Sequence, residues 1–469
     1  CVAMGSSFGL VLSADMYGFL TFFTFMSLSS YVLIIRSQTE AAVAAANVYI
    51  KWVIIGEVAI FSAFCIINYM DLTEQAVEAP LLQFMGLMLI VGFGIKIGLL
   101  GFHSWLPLAH PVAAVPASAM LSGFMVTAGM IGWLKFFPIE YNQAATFYNL
   151  GFFTIFLGVA GAFYAAIKGI VEKDPKAVLA YSTVSQMGLL SACFGVILAF
   201  PPLKEPMTLA IIFYAIHHGL AKAALFLSVG VAPLLNKQRK VNNYLRFSTY
   251  IIMILPALAL VGAAFTSGFF AKSEVKVLLN SLPYLKDAII ISALFTGLLM
   301  CRFIHMLYYK GQQNNSHAGN SELPLLAICL TNTLLVVLAP WYLLNEQRTL
   351  TNLLSEVSMA SVISSFIPVL LAMIIYKLML IFKLDGRSLF TLSGVNGAWI
   401  HSIIVRDFKR MKNPKAPQSF VNKGLLTQVN NYFAKLLSPQ EAMPLNMQSS
   451  YVSLVLMVVG VLLLLAFGF

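Results

Sequence analysis

Apolar stretches of about 20 residues recur along almost the whole chain, each long enough to span the roughly 30 Å of hydrocarbon in a bilayer. Inside lipid every backbone polar group must be satisfied within the protein, so such a chain folds as packed helices. No alternating, strand-length runs compete with this, and a barrel would show shorter and weaker segments. A helical remnant is predicted at 1–13, then spans near 15–35, 47–69, 80–102, 108–137 and 148–170. Further spans are predicted near 176–200, 207–235, 247–277, 288–309, 323–345, 357–383 and 450–468. Only 10% of the residues are charged, against about 25% in soluble domains, which also marks a polytopic membrane protein.

The net charge of +11 would suggest nucleic acid in a soluble protein; here it reads as topology, and no nucleic acid is expected. Alternate connections carry Arg36 and Lys51, then Lys173 and Lys176, then Lys237, Arg239, Lys240 and Arg246, then a basic run from Arg387 to Lys423. The others carry Asp71, Glu74 and Glu78, then Glu140, then Glu346 and Glu356. The positive-inside rule puts the basic loops in the cytoplasm, as expected for a multi-pass protein of a bacterial inner membrane. Segment 384–449 is polar, basic and interrupted by Pro414 and Pro417. Phe420, Leu425, Val429 and Phe433 recur in it at roughly helical spacing, which predicts an amphipathic helix along the membrane face or a partner subunit. A partly ordered loop is the competing reading.

Several chemistries drop out. Cys1, Cys65, Cys193, Cys301 and Cys329 are scattered without CxxC or Cys-His spacing, which argues against iron–sulfur, zinc or disulfide chemistry. There is no Walker motif, and Gly92–Gly94 has no strand before it, so no nucleotide loop is expected. His103 and Trp105 fit a helix-end hydrogen bond and an interfacial anchor better than a quinone site. No cofactor is expected.

What stands out is charge inside the spans. Lys96 lies within Leu87–Leu100, where a lysine costs a few kcal/mol and is a functional candidate by default. Apolar residues flank it on both sides, which argues against snorkelling; a buried structural ion pair is the other reading. Lys222 follows His218 by four residues, so the two share a helix face and can exchange a proton directly or through one water. Lys272 follows Gly268-Phe269-Phe270-Ala271. Glu57 is the sole carboxylate inside any first-half span, and Gly56 beside it would let a neighbouring helix approach closely.

These residues sit in recognisable runs. They are Met26-Ser-Leu-Ser-Ser-Tyr31, Lys96–Pro111 with Pro116-Ala-Ser-Ala119, Asp174–Gly188, His218-Gly-Leu-Ala-Lys222, and Gly268-Phe-Phe-Ala-Lys272-Ser-Glu274. Together they resemble the antiporter-like subunits of respiratory complex I, and equally their relatives in Mrp-type cation/proton antiporters and membrane-bound hydrogenases. The match runs from about residue 15 to 310; beyond that only hydropathy and helix count agree.

The resemblance implies an all-α fold of two inverted five-helix repeats, each with a helix broken in the membrane, at 80–102 and 247–277. It divides the chain into a first repeat at 1–137, N-terminally truncated by about three and a half helices, and a second at 148–310. Two additional helices at 323–383, the amphipathic segment 384–449 and a terminal span at 450–468 follow. It also implies that Lys96 gives and takes a proton with a glutamate one helix earlier. Thr24 stands at that glutamate's place, and Glu57, one helix later, is expected to have taken over as partner. His218 matches a family histidine, whereas a second one is replaced by Tyr214, a poor relay at neutral pH. His217 faces another side and has no clear counterpart. Lys272 matches the exit residue, with Glu274 near the helix end. Thr127 stands where many relatives have a lysine, leaving the middle of the axis to waters and to Ser122 or Ser118. Lys168, Asp174 and Lys176 near the cytoplasmic end are candidates for proton uptake or, equally, ordinary loop charges.

The function implied is a proton-translocating, antiporter-like subunit working through Glu57, Lys96, His218, Lys222 and Lys272 and ordered water. Its partners would be the bilayer and other membrane subunits, its cargo protons, with Na+ left open. As an enzyme component it would serve a quinone- or hydrogen-linked oxidoreductase without redox chemistry of its own. The alternative is a non-pumping structural or anchor subunit partnering a cytoplasmic enzyme.

Overall fold

The computed structural model describes residues 2–73, 78–138, 144–236, 242–313, 322–343 and 359–382. The expected amphipathic segment 384–449 and terminal span 450–468 lie outside them. The described residues form helices and contain no strand. The first half comprises α1 (Val2–Leu12), α2 (Met16–Ile35), α3 (Glu40–Thr73), α4 (Ala79–Ile97), α5 (Trp105–Val112), α6 (Val115–Met120) and α7 (Val126–Phe136). Next come α8 (Ala144–Val171), α9 (Pro175–Ala199), α10 (Lys204–Val231), α11 (Asn243–Val261) and α12 (Ser267–Leu278). Then follow α13 (Pro283–Gln313), α14 (Glu322–Leu343) and α15 (Met359–Ile381). Ten helical stretches among the described residues are long and apolar enough to cross a bilayer, and the protein is a multi-pass integral membrane protein.

Local chemistry starts and stops these helices. The Asp15 side chain accepts from Gly18 N at 2.7 Å and caps α2. Asp174 accepts from the backbone N–H of Lys176 at 2.8 Å and Ala177 at 3.2 Å to cap α9, with Pro175 in the first turn. α4 ends at Gly98, whose φ of +80° a side chain would strain, and whose N–H returns to Gly94 O and Ile95 O. α11 ends the same way at Gly262, φ +100°, bonded to Leu258 O and Ala259 O. Both terminations leave last-turn carbonyls without helical donors.

The breaks fall inside the expected stretches, but the expected span 108–137 is not one continuous α-helix. α5 stops at Val112, Ala113 and Ala114 are extended, and Pro116 opens α6. Pro111 and Pro116 bracket this bend, where an unbroken backbone ladder is not possible. Leu121–Met125 then form a π-helical turn between α6 and α7.

α9 is buried along almost its whole length, its polar Ser182, Thr183, Gln186 and Ser191 included. It meets α8 backbone to backbone: a Cβ on Gly158 would lie 2.5 Å from Gly188 O, and one on Gly188 would lie 2.6 Å from Gly158 O. α3 and α4 close in the same manner at Gly56 and Gly92, where a Cβ on Gly92 would lie 2.9 Å from Gly56 O. That approach brings the Glu57 and Lys96 helices together.

Candidate functional site

Lys96 sits in the last turn of α4 with 3% of its surface exposed. Its ammonium donates to Ser27 Oγ at 2.6 Å and to the Tyr49 hydroxyl at 3.4 Å, and lies 4.8 Å from the centre of the Phe23 ring. The Tyr49 hydroxyl in turn donates to Ser27 O at 3.1 Å. Glu57 stands two turns after Tyr49 on α3. Thr24 Oγ1 donates to Glu57 Oε2 at 3.2 Å, while the enclosed Oε1 has no hydrogen-bond partner in the described structure.

Glu57 and Lys96 do not form a direct ion pair. They line one small cavity with Ser27, Tyr49 and Trp52, of about 10 Å3, room for about one water. Thus the Glu57 carboxylate of α3 reaches the hydroxyl of Thr24 on α2. An enclosed carboxylate oxygen with no donor is costly and can take a proton or a water.

In the second half Lys222 is completely buried. Its ammonium donates to Leu179 O at 2.9 Å and to Ser182 Oγ. Thr183, beside Ser182, shares a 2.7 Å hydrogen bond with Ser122, which the π-helical turn presents to α9. His218 is buried one turn before Lys222, and neither ring nitrogen has a hydrogen-bond partner in the described structure. α10 approaches the π turn at Gly219, where a Cβ would lie 2.9 Å from Gly123 O.

Lys272 is buried at the second break, and its ammonium donates to Leu260 O at 2.9 Å and Val261 O at 3.0 Å. Those are last-turn carbonyls of α11, so the lysine completes that helix end. Glu274 lies partly buried two residues further along α12.

Other candidates hold different posts. Tyr214 donates to Gln186 Oε1 at 2.7 Å, and Gln186 Nε2 donates to Thr296 Oγ1 at 3.0 Å, so the tyrosine is tied into a buried network with α9 and α13. Thr127 donates to Phe124 O at 2.7 Å in its own helix and joins none of the lysines. Ser118 donates to His110 O at 3.1 Å. Lys176 donates to Pro111 O at 3.2 Å and Ala113 O at 2.7 Å, closing the end of α5 while Asp174 caps α9. Lys168 is partly buried in the last turn of α8.

Sequence reasoning passes over three kinds of residue. Ser27 and Tyr49, which hold Lys96, carry no signal beyond being polar in apolar spans. His110 is fully buried, stacks on Phe226 at 4.6 Å and has no partner for either ring nitrogen in the described structure. His217 Nδ1 lies 2.7 Å from Ser267 Oγ of α12. Among the described residues no three His, Cys, Asp or Glu side chains gather as a metal site would need.

Comparison with known proteins places this geometry. The family model described as NADH:quinone oxidoreductase/Mrp antiporter, TM, matches residues 13–299. Hydrogenase-4 component B of Escherichia coli is 30% identical over 241 residues, 49% of this chain and 36% of that protein. NADH-ubiquinone oxidoreductase chain 5 of Chondrus crispus is 30% identical over 289 residues, 57% of this chain and 40% of that one. The chain thus spans about two fifths of the length of these relatives. A Na(+)/H(+) antiporter subunit of Alkalihalophilus pseudofirmus is 26% identical and aligns over 68% of each chain. A protein of the Mrp complex from a Dietzia species superposes with a TM-score of 0.58 at 18% identity, over 78% of this chain and 77% of that one.

Proposed function

Because the chain belongs to the NADH:quinone oxidoreductase/Mrp antiporter transmembrane family, we propose that it is an antiporter-like subunit that carries protons through a membrane complex. The observation that carries this reading is the surroundings of its three enclosed lysines. Lys96, Lys222 and Lys272 donate to hydroxyl and carbonyl oxygens. A buried lysine tied into an ion pair is locked in its charged form, because breaking the pair leaves an unpaired buried charge. A lysine resting on neutral oxygens can gain or lose its proton without that loss. Glu57, one small cavity away from Lys96, supplies the carboxylate whose own protonation changes the field at the lysine.

The path in this reading runs from Glu57 to Lys96, then to His218 with Lys222, then to Lys272, with water between them. Lys168, Asp174, Lys176 and Glu274 lie towards its ends, and Thr24 positions Glu57. Partner membrane subunits supply the driving energy, as a redox module or an opposing ion gradient. The relatives named above include both a Na(+)/H(+) antiporter subunit and oxidoreductase chains, so Na+ belongs in the assay. The basic loops are assigned to the cytoplasmic side of a bacterial inner membrane.

The test is ΔpH-driven proton flux in proteoliposomes holding the purified assembly, with Lys96→Ala and Glu57→Gln beside wild type. Loss of flux in both is expected. Flux that survives both substitutions would make the lysine line architectural and the subunit a non-pumping arm.

A further inference from the structure

We propose that His217, through Ser267, is the residue that passes protons from α10 to Lys272. The assignment rests on the proton-path reading above and concerns its least connected step: among the described residues no hydrogen bond joins His218 or Lys222 to Lys272. His217 is buried, with Nδ1 2.7 Å from the hydroxyl of Ser267, the first residue of α12. Its Nε2 is enclosed and has no partner in the described structure. A histidine held at one nitrogen and unmet at the other is set to take a proton on one side and release it on the other.

The ring lies at the break itself. A Cβ on Gly268 would lie 2.9 Å from His217 Cε1 and clash with Ala259 O, so α10, α11 and α12 converge there. The Lys272 stem crosses the same place: a Cβ on Gly262 would lie 3.1 Å from Lys272 Cδ and 3.5 Å from Gly268 O. His217 and Lys272 therefore flank one pair of glycines. The other titratable group close by, Tyr214, has its ring 6.0 Å from that of His217 and spends its hydroxyl proton on Gln186.

The step moves one proton and no electrons leave or enter. A proton arriving at Nε2 makes the imidazolium; the Nδ1 proton then passes to Ser267 Oγ as the serine's own proton leaves, through water, for the Lys272 amine. The neutral imidazole is left with its proton on Nε2, and exchange through water restores the first tautomer.

The experiment uses the purified assembly in proteoliposomes with an imposed ΔpH and an enclosed pH dye. His217→Gln keeps a group that can hydrogen-bond Ser267 and cannot titrate; flux is expected to fall about a hundredfold, the lower end of what proton-transfer groups contribute. His217→Ala is expected to lose flux and to regain part of it with added imidazole. Wild-type flux in His217→Gln, or loss in His217→Ala that imidazole does not relieve, overturns the assignment. If His217→Gln is not recovered in the assembly, Ser267→Ala is read instead, with slowed flux expected and unchanged flux overturning it. Lys96→Ala runs alongside: wild-type flux no greater than in Lys96→Ala sinks the proton-path reading, whereas flux lost there and kept in His217→Gln sinks this assignment alone.

Discussion

At the first break Gly98 closes α4 with φ +80°, and at the second Gly262 closes α11 with φ +100°. The backbone solution is the same, yet the two lysines serve differently. Lys96 stands two residues before its glycine, and Lys272 stands ten after. Helical side chains lean towards the N-terminus of their own helix. Lys272 therefore leans back into the break and takes the carbonyls of Leu260 and Val261, while Lys96 leans away from its break and meets Ser27 and Tyr49. The vacant post at the first break is filled by Trp105, whose Nε1 donates to Ile95 O at 2.9 Å. One lysine thus closes a helix end, and the other closes none.

The largest expected difference is in stability. Lys272→Met removes the donor to two buried carbonyls and should destabilise by about 2–6 kcal/mol, taking about 1–3 kcal/mol for each group left unpaired. Lys96→Met, which uncaps no helix, should cost clearly less. Denaturation of the purified complex in a detergent titration measures both, and equal losses would dissolve the distinction.

The glycines come next. Gly98→Ala and Gly262→Ala each impose a left-handed backbone on alanine, about 1–2 kcal/mol. At Gly98 the new Cβ would also lie 2.3 Å from Leu106 Cδ1, whereas at Gly262 it meets the flexible Lys272 stem at 3.1 Å. Gly98→Ala should therefore be the more damaging of the two in the same titration. The reverse order would mean that Leu106 yields more easily than Lys272.

Trp105→Phe keeps an aromatic ring beside Tyr49 and leaves Ile95 O with the Gly98 N–H, at 3.2 Å, as its remaining donor. A loss of about 0.5–1.5 kcal/mol, the net worth of one hydrogen bond, is expected, and proton flux should fall too, because Lys96 follows Ile95 directly. Normal flux in a destabilised variant would show that the two duties are separable at the first break as well. The smallest effect is expected at Phe265, which holds φ +64° in the second break. Phe265→Gly should relieve up to about 1 kcal/mol of backbone strain and leave flux unchanged. A loss of flux instead would give this exposed ring a part in the path.

Much of this is legible in the order of residues. The spans follow from apolar runs, whereas the breaks within 80–102 and 247–277 are expected from the family resemblance and leave no mark in hydropathy. Glu57 and Lys96 are legible as charges out of place, and Gly56 as the reason their helices meet. The bend at Ala113–Ala114 is hidden because the apolar run continues straight through it. The π-helical turn at Leu121–Met125 is hidden because one extra residue per turn leaves no mark in composition. Thr127 aligns with the lysine axis in sequence and turns its hydroxyl to Phe124 instead. His217 escapes a reading centred on Lys222 because it faces away from that lysine, which is what turns it towards α12.

The sequence by itself determined that the chain crosses the membrane many times and that lysines lie within those crossings. Those are local properties of hydropathy and of charge. Tertiary structure alone decided which oxygen each buried lysine meets. Lys96 finds Ser27 across 69 residues, Lys222 finds Leu179 across 43, and His217 finds Ser267 across 50. Hydrogen bonds act over about 3 Å in space whatever the separation along the chain, so only the packing of whole helices could settle those partners.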